Sequence, residues 1–271
     1  MPEISIQRPR LIFKSSTLLD TAKYLLVMTC LAWFLLLGTE RLGYNWQWYR
    51  IPQYFWQFSE DGFHWGPLMK GLGVTFQITA ISMTLMLVIG LTTALLRMSN
   101  SWAGKAVARV YMELIRNSPL LIQIFFIYFV VAPIIDMSGF WAAVVALSLF
   151  EGAYASEIIR AGITSIEKGQ WEASQSLGMS PYAMYRYIIL PQAIRRVLPP
   201  LTSQAVSLIK DSALVSTVAI LDLTQRGRMI DAETFLTFEI WFTVAAIYLA
   251  ITLSLSALVR LLERRTTGQR A

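Results

Sequence analysis

Three charged side chains sit where charge is expensive. Glu151 interrupts an otherwise uncharged run from Met137 to Ser156, and Lys210 and Asp211 fall near the middle of an apolar stretch from Val197 to Leu221. A charge at bilayer depth costs about 2.5–3.5 kcal/mol on insertion scales, so each of the three must face a partner, a water-filled path or a ligand. Adjacent residues on one helix do not face each other, which leaves Lys210 and Asp211 to find partners elsewhere, with Glu151 the candidate for Lys210. Two chemistries fit: an interhelical ion pair that fixes packing, or the lining of a path for a charged solute. Asn117, Ser118 and Gln123, at the start of another uncharged run, are further polar candidates for such a path. Enzymatic chemistry lacks its parts. A single Cys (Cys30) and a single His (His64) supply no metal cluster, disulfide framework or nucleophilic relay, each of which requires a further partner of those types.

The elements that position these residues follow from composition. The chain has 271 residues, of which 55% are apolar and 15% charged, against about 25% charged in soluble domains. A hydrocarbon core of about 30 Å requires roughly 20 apolar residues per helix. Six stretches qualify, and they define an all-α integral membrane protein: Tyr24–Gly38, Gly71–Leu96, Asn117–Ile135, Met137–Ser156, Val197–Leu221 and Ile240–Val259. The first is short, and Lys23 can snorkel to the interface.

Net charge is +6, and the position of the basic residues decides what that means. Threading six spans puts Arg8, Arg10, Lys14, Lys23, Arg97, Lys105, Arg109, Arg116, Arg160, Lys168, Arg186, Arg195, Arg196 and the tail arginines 260, 264, 265 and 270 on one side. Only Arg41, Arg50, Lys70, Arg226 and Arg228 fall on the other. This is positive-inside bias, so both termini are expected in the cytoplasm and nucleic acid is excluded as the partner. No small-residue cleavage site follows the first span. The chain instead enters an outer segment crowded with Trp48, Tyr49, Tyr54, Phe55, Trp56 and Phe58, expected as an interfacial aromatic belt that includes His64.

The connection between the fourth and fifth spans, residues 161–191, is far longer than a helix hairpin requires. Gln170 to Leu177 reads as a short helix that Gly178 ends in the left-handed conformation. Ser180 and Pro181 suit the N-cap and first position of a second helix, Tyr182 to Leu190, which Pro191 is expected to close. The product is a cytoplasmic helix-turn-helix offering Trp171, Leu177, Met179 and Tyr182 as knobs. It suits either docking with a partner or resting on anionic headgroups through its basic residues.

Within that loop Glu172-Ala173, then Gly178, then Ile188 and Leu190-Pro191 resemble, in type and spacing, the EAA loop of membrane subunits of ATP-binding-cassette importers. The likeness runs from about Gly71 to Glu263 and is similar to the branch importing polar amino acids (histidine, glutamine, arginine and opine permeases). It is carried by Gly71-Leu72 with Thr75, by Tyr111 to Leu121, by Ala153-Tyr154 with Glu157 and Arg160, by Gly169 to Ala173, by Pro191-Gln192-Ala193 and by Leu208 to Ser212. Family members commonly have five spans, so this chain resembles a five-helix importer core, residues 67–265, preceded by an extra helix and aromatic segment, residues 1–66, and followed by a short tail, 266–271.

The resemblance implies a permease that binds no cofactor itself. No G-x-x-x-x-G-K-[ST] loop occurs, so ATP and Mg belong to a pair of separate ATPase subunits. Their docking surface would be built from Gly169, Trp171, Glu172, Ala173, Leu177, Gly178, Ile188, Leu190 and Pro191. A second permease subunit, the same or homologous, would help enclose the path, an external amino-acid-binding protein would deliver substrate, and the location would be the bacterial inner membrane. Glu151, Lys210 and Asp211 would then face an amino acid's ammonium and carboxylate. The competing reading is an autonomous secondary transporter or channel using the same three residues as an ion relay. It has no use for a docking loop.

Overall fold

The structure, a computed structural model, describes residues 15–41, 44–60 and 62–267; Arg8, Arg10, Lys14 and Arg270 lie outside them. The chain divides into two compact units, Met1–Gln47 and Trp48–Ala271. The first contains helix α1 (Ser15–Arg41, 27 residues), whose range includes the stretch Tyr24–Gly38. Its described side chains, among them Leu25, Trp33 and Phe34, are exposed.

In the second unit the aromatic segment is part of the fold from Trp48 onward. After two 3-10 turns (Trp48–Arg50 and Pro52–Tyr54), Ile51 and Tyr54 are buried in one cluster with Leu68, Leu223, Leu236 and Ile240. A departure from the all-helical expectation follows: β1 (Trp56–Ser59) pairs antiparallel with β2 (Gly62–Trp65). Register Trp56↔Trp65 and Phe58↔Phe63 puts four aromatic rings on one face of the hairpin, because side chains alternate along a strand. These rings are exposed, whereas Tyr54 is buried and belongs to no belt.

The remaining elements are α2 (Pro67–Met98), α3 (Trp102–Arg116), α4 (Leu120–Phe126), a π turn (Ile127–Val131), α5 (Ala132–Ile134) and α6 (Gly139–Thr164). They continue with α7 (Lys168–Ser176), α8 (Pro181–Met184), a second π turn (Tyr185–Ile189), α9 (Leu190–Asp211), a 3-10 segment (Ser212–Val218), α10 (Leu223–Thr234) and α11 (Thr237–Thr267). Among the described residues, α2, α6 and the 25 residues Thr237–Leu261 of α11 are each long and apolar enough to cross a membrane. The pair Trp102–Arg116 and Leu120–Ile134 forms a fourth only as a broken span bent by 107°. The bend falls at Ser118-Pro119, where the residue before proline is driven out of the helical region.

Helices α2 and α6 form the centre. Lipid tails are as apolar as leucine, so helices in a membrane associate through close van der Waals contact at small residues. A Cβ built on Gly90 would lie 2.7 Å from Ala155 Cβ and 3.2 Å from the Gly152 carbonyl oxygen, and one built on Gly152 would lie 2.8 Å from Ile89 Cγ2. Ser82, fully buried, donates from Oγ to the Val144 carbonyl across the same seam at 3.3 Å.

Two expectations for the fifth span are corrected. The apolar stretch Val197–Leu221 does not mark its bounds: its helix starts at Leu190, ends at Asp211 and carries Arg195 and Arg196 on its first half. Nor does Pro191 end a helix: α8, the π turn and α9 run on without a break. The wider π turn immediately before Pro191 absorbs a residue that has no N–H to give, and Pro199 and Pro200 are likewise retained inside α9. A proline inside a helix costs a bond and bends the axis without necessarily ending it.

The start of α10 is locked to α2 by capping. Asp222 accepts the Gln225 N–H at 2.8 Å as N-cap of α10, and the Leu223 N–H donates to Thr75 Oγ1 of α2 at 3.1 Å. Burial pushes the Asp222 carboxyl up to about 6.

Gly90→Ala is expected to lower the thermal midpoint of the detergent-solubilised chain by the equivalent of about 1–3 kcal/mol, the cost of overpacking. Gly73→Ala in the same helix, whose added Cβ meets nothing within 4 Å, leaves the midpoint unchanged or slightly raised. Equal midpoints for the two variants would show that the seam is not tight.

Candidate substrate path and coupling element

Glu151 lies at the middle of α6 and is fully buried. Its partner is not Lys210. Gln204 Nε2, from α9, donates to Glu151 Oε2, the other carboxyl oxygen, Oε1, is buried without a hydrogen-bond partner among the described residues, and Asp211 is the nearby acidic group. Gln204 and Asp211 are seven residues apart and so share the face of α9 turned to α6. Lys210 is rotated from that face by about 100°; it is exposed and forms no ion pair among the described residues. It lines a second space instead, about 400 Å³, with Thr202, Ser203, Ser207, Ser256 and Arg260.

The expected Glu151–Lys210 pair is therefore corrected to two separate polar features: an acid and amide cluster between α6 and α9, and a hydroxyl-rich recess holding two cations between α9 and α11. Sequence reasoning missed Gln204, and a periodicity count could have found it, one helical heptad before Asp211. It also missed Glu239, fully buried near the start of α11, where a single acidic residue in the first turn reads as an ordinary helix-end charge.

The third-span candidates serve the bend. Gln123 Nε2 donates to the Ile115 carbonyl at 2.7 Å and to Ser118 Oγ at 2.9 Å, across the break between α3 and α4. Asn117 Nδ2 donates to the Glu113 carbonyl at 2.9 Å and to its carboxylate at 2.7 Å, and Ser118 Oγ donates to the Leu114 carbonyl. The bonds to Ile115 and Leu114 take up carbonyls at the end of α3, where a helix runs out of N–H partners, while the Glu113 carbonyl also accepts the Asn117 N–H at 3.3 Å. Glu157 and Arg160, three residues apart on α6, belong to a larger clasp: Arg97 Nη1 of α2 and Arg160 Nη2 donate to the two oxygens of Glu157, with Arg116 Nη1 at 3.9 Å.

The 161–191 connection forms two short helices as its caps dictate. Gly178 has φ +68°, the left-handed value, and the Met179 N–H returns to the Ser174 carbonyl at 3.2 Å, closing α7. Ser180 Oγ accepts the Ala183 N–H at 3.3 Å as N-cap of α8. Of the expected knobs, Leu177 and Tyr182 project outward, 81% and 76% exposed. Trp171 and Met179 turn inward, packing against a core of Ile163, Met184, Ile189 and Val197, and the Trp171 ring meets Tyr185 edge to face at 5.4 Å. Ile188 packs on the same core, Leu190 is partly exposed, and Glu172 and Gly169 are exposed. A rigid base thus carries two apolar protrusions, and its second helix continues into α9, the helix of Gln204 and Asp211.

An apolar helical assembly with polar groups at depth and a pre-formed helical pair at one end defines a membrane permease component rather than an enzyme. Residues 86–268 match the family described as binding-protein-dependent transport system inner membrane component, and the chain belongs to that family, the permeases of ATP-binding-cassette importers. It is 41% identical over 201 residues to the glutamine transport system permease protein GlnP of Escherichia coli (strain K12), covering 73% of this chain and 92% of that protein. With the L-cystine transport system permease protein TcyB of Bacillus subtilis (strain 168) it shares 38% identity over 212 residues, covering 78% and 90%. Among solved structures it is similar to an amino acid ABC transporter crystallised with histidines, with TM-score 0.69, 40% identity, and 73% and 94% of the two chains covered. An inward-facing MetNI methionine ABC transporter shares the fold, with TM-score 0.64 at 21% identity, over 75% and 96%. A multi-pass inner-membrane protein follows from the family and the apolar helices together.

Gln204→Leu is expected to destabilise the solubilised chain by about 1–3 kcal/mol, because it strips the donor from a buried carboxyl. Glu151→Leu added to it recovers most of that loss, since replacing both partners by apolar groups is close to neutral. A double variant as unstable as the single one would show that Glu151 is held by other groups.

Proposed function

We propose that the chain is the permease subunit of an ATP-driven importer of polar amino acids, with both termini in the cytoplasm and a second permease subunit, the same or homologous, enclosing the path. Two cytoplasmic ATPases receive the 161–191 element, Leu177 and Tyr182 entering their surface, and an external binding protein delivers the substrate. The observation that carries this reading is continuity: the second helix of the rigid pair around Gly178 shares one helical run with Gln204, Lys210 and Asp211, so motion at the docking end is delivered to charges at membrane depth without any chemistry in this chain.

The substrate class is supported by relatives named for glutamine and cystine and by the two polar features. An acid and amide cluster suits an ammonium group, and a recess with Lys210 and Arg260 suits a carboxylate. Of the residues expected to line the path, Glu151, Lys210 and Asp211 keep that assignment. Gln204 joins them, while Asn117, Ser118 and Gln123 act by holding the bend that shapes it.

Gly178→Asp tests the coupling. A non-glycine residue in the left-handed region costs roughly 1–2 kcal/mol, and the added carboxylate enters a packed contact. Transport and copurification of an ATPase from native membranes should both be lost at normal membrane levels of the variant; full transport would remove the loop from the mechanism and leave the ion-relay reading.

Orientation is tested in a Cys30→Ser background by single labelling sites. Arg186→Cys should react only with reagent applied from the cytoplasm, and Trp56→Cys only from outside. The reverse pattern would overturn the topology and the docking role with it.

A further inference from the structure

A cavity of about 570 Å³ opens where the end of α2, helix α3 and the second half of α6 meet, lined by Arg97, Lys105, Arg109, Arg116, Arg160, Glu113 and Tyr154 among others. It is apart from the Glu151 cluster and the Lys210 recess, neither of which contributes a lining residue. Five cations face into it. The Glu157 clasp holds three of them, Arg97, Arg116 and Arg160, and Arg116 is steadied further by the Tyr154 ring, 5.6 Å from its guanidinium carbon. Glu113 is engaged by Asn117. Lys105 and Arg109 form no ion pair among the described residues, so positive charge is left uncompensated inside a concave wall.

Positive-inside bias accounts for basic residues on a loop but requires no cavity and no clasp to aim them. The geometry of α3 shows the aiming. Ala103, Val107, Val110 and Leu114 form one exposed apolar stripe, while Lys105, Arg109 and Arg116 lie on the opposite side of the helix and face the cavity. An amino acid zwitterion is a poor occupant, because its ammonium would face five cations against one lining carboxylate, Glu113, which Asn117 already engages. A group with two or more anionic oxygens and no positive charge is a good one, since guanidinium forks pair with phosphate oxygens two at a time.

We propose that this cavity is a phosphate-binding site, separate from the substrate path, that takes the phosphate of either a soluble phosphate compound or an anionic lipid headgroup, with Lys105 and Arg109 as the free cations that close on it. It goes beyond the transport reading and stands whether or not that reading holds.

The test uses the full chain in nanodiscs. In phosphatidylcholine discs, inorganic phosphate titrated against chloride at equal ionic strength should raise the melting midpoint in a saturable way if the source is soluble. Discs containing phosphatidylglycerol should raise it without added phosphate if the source is lipid. In the Lys105→Gln/Arg109→Gln variant the apparent affinity for phosphate, or for the lipid, should fall at least about tenfold, with the midpoint in plain phosphatidylcholine and chloride unchanged. Lys168→Gln/Arg186→Gln, which removes two charges from outside the cavity, should leave the response intact. No response to phosphate or phosphatidylglycerol beyond that to chloride would overturn the proposal, as would a response lost equally in both double variants, which would mean net charge alone.

Discussion

The closest constraint in this molecule is the distance between two backbones. In a solvent of lipid tails nothing drives leucines together, and α2 and α6 hold because glycine and alanine let them approach until the next methyl group has no room. Everything polar at depth is set by that approach. Ser82 reaches the Val144 carbonyl across the seam, Glu151 is sealed where α6 meets α9, and at one end of the seam Arg97 of α2 reaches Glu157 of α6. A wider seam would break the two bonds that cross it and relax the packing that seals Glu151.

How far the sequence discloses this arrangement depends on which physical quantity each feature rests on. Apolar length is written in the residues, so Gly71–Leu96 and Ile240–Val259 fall inside α2 and α11, and all but the first two residues of Met137–Ser156 fall inside α6. Local capping is also written there: Gly178 and Ser180 take the conformations and bonds that their types favour. Rotation about a helix axis relative to its neighbours is not, because it follows from the packing of all helices at once. Thus Lys210 carries the right charge for Glu151 and faces elsewhere, while Gln204, unremarkable in sequence, faces it.

Proline was the least legible residue. Pro119 marks a bend of 107°, and Pro191, Pro199 and Pro200 continue in one helical run. The difference lies in what stands beside each: Gln123 and Ser118 bond the carbonyls of Ile115 and Leu114 at the bend, whereas a π turn precedes Pro191 and shifts the register before its missing N–H is required. Short-range propensity does not register either arrangement. The hairpin at Trp56–Trp65 was hidden for a related reason, since its aromatic alternation also satisfies the description of an interfacial belt.

The unbroken run from Pro181 to Asp211 makes a bar of roughly 45 Å at 1.5 Å per residue, with softened points at the π turn and at Pro199-Pro200. A bar with its weak points inside its length behaves as a lever with a fulcrum: the arm beyond the prolines is the shorter one, so displacement is reduced toward Asp211 while force is multiplied. Under the proposed coupling, a broad swing at the Gly178 end becomes a small, stiff adjustment of Gln204 and Asp211 against Glu151. Such gearing suits the breaking of hydrogen bonds, which gives way over fractions of an ångström, better than the opening of a wide gate.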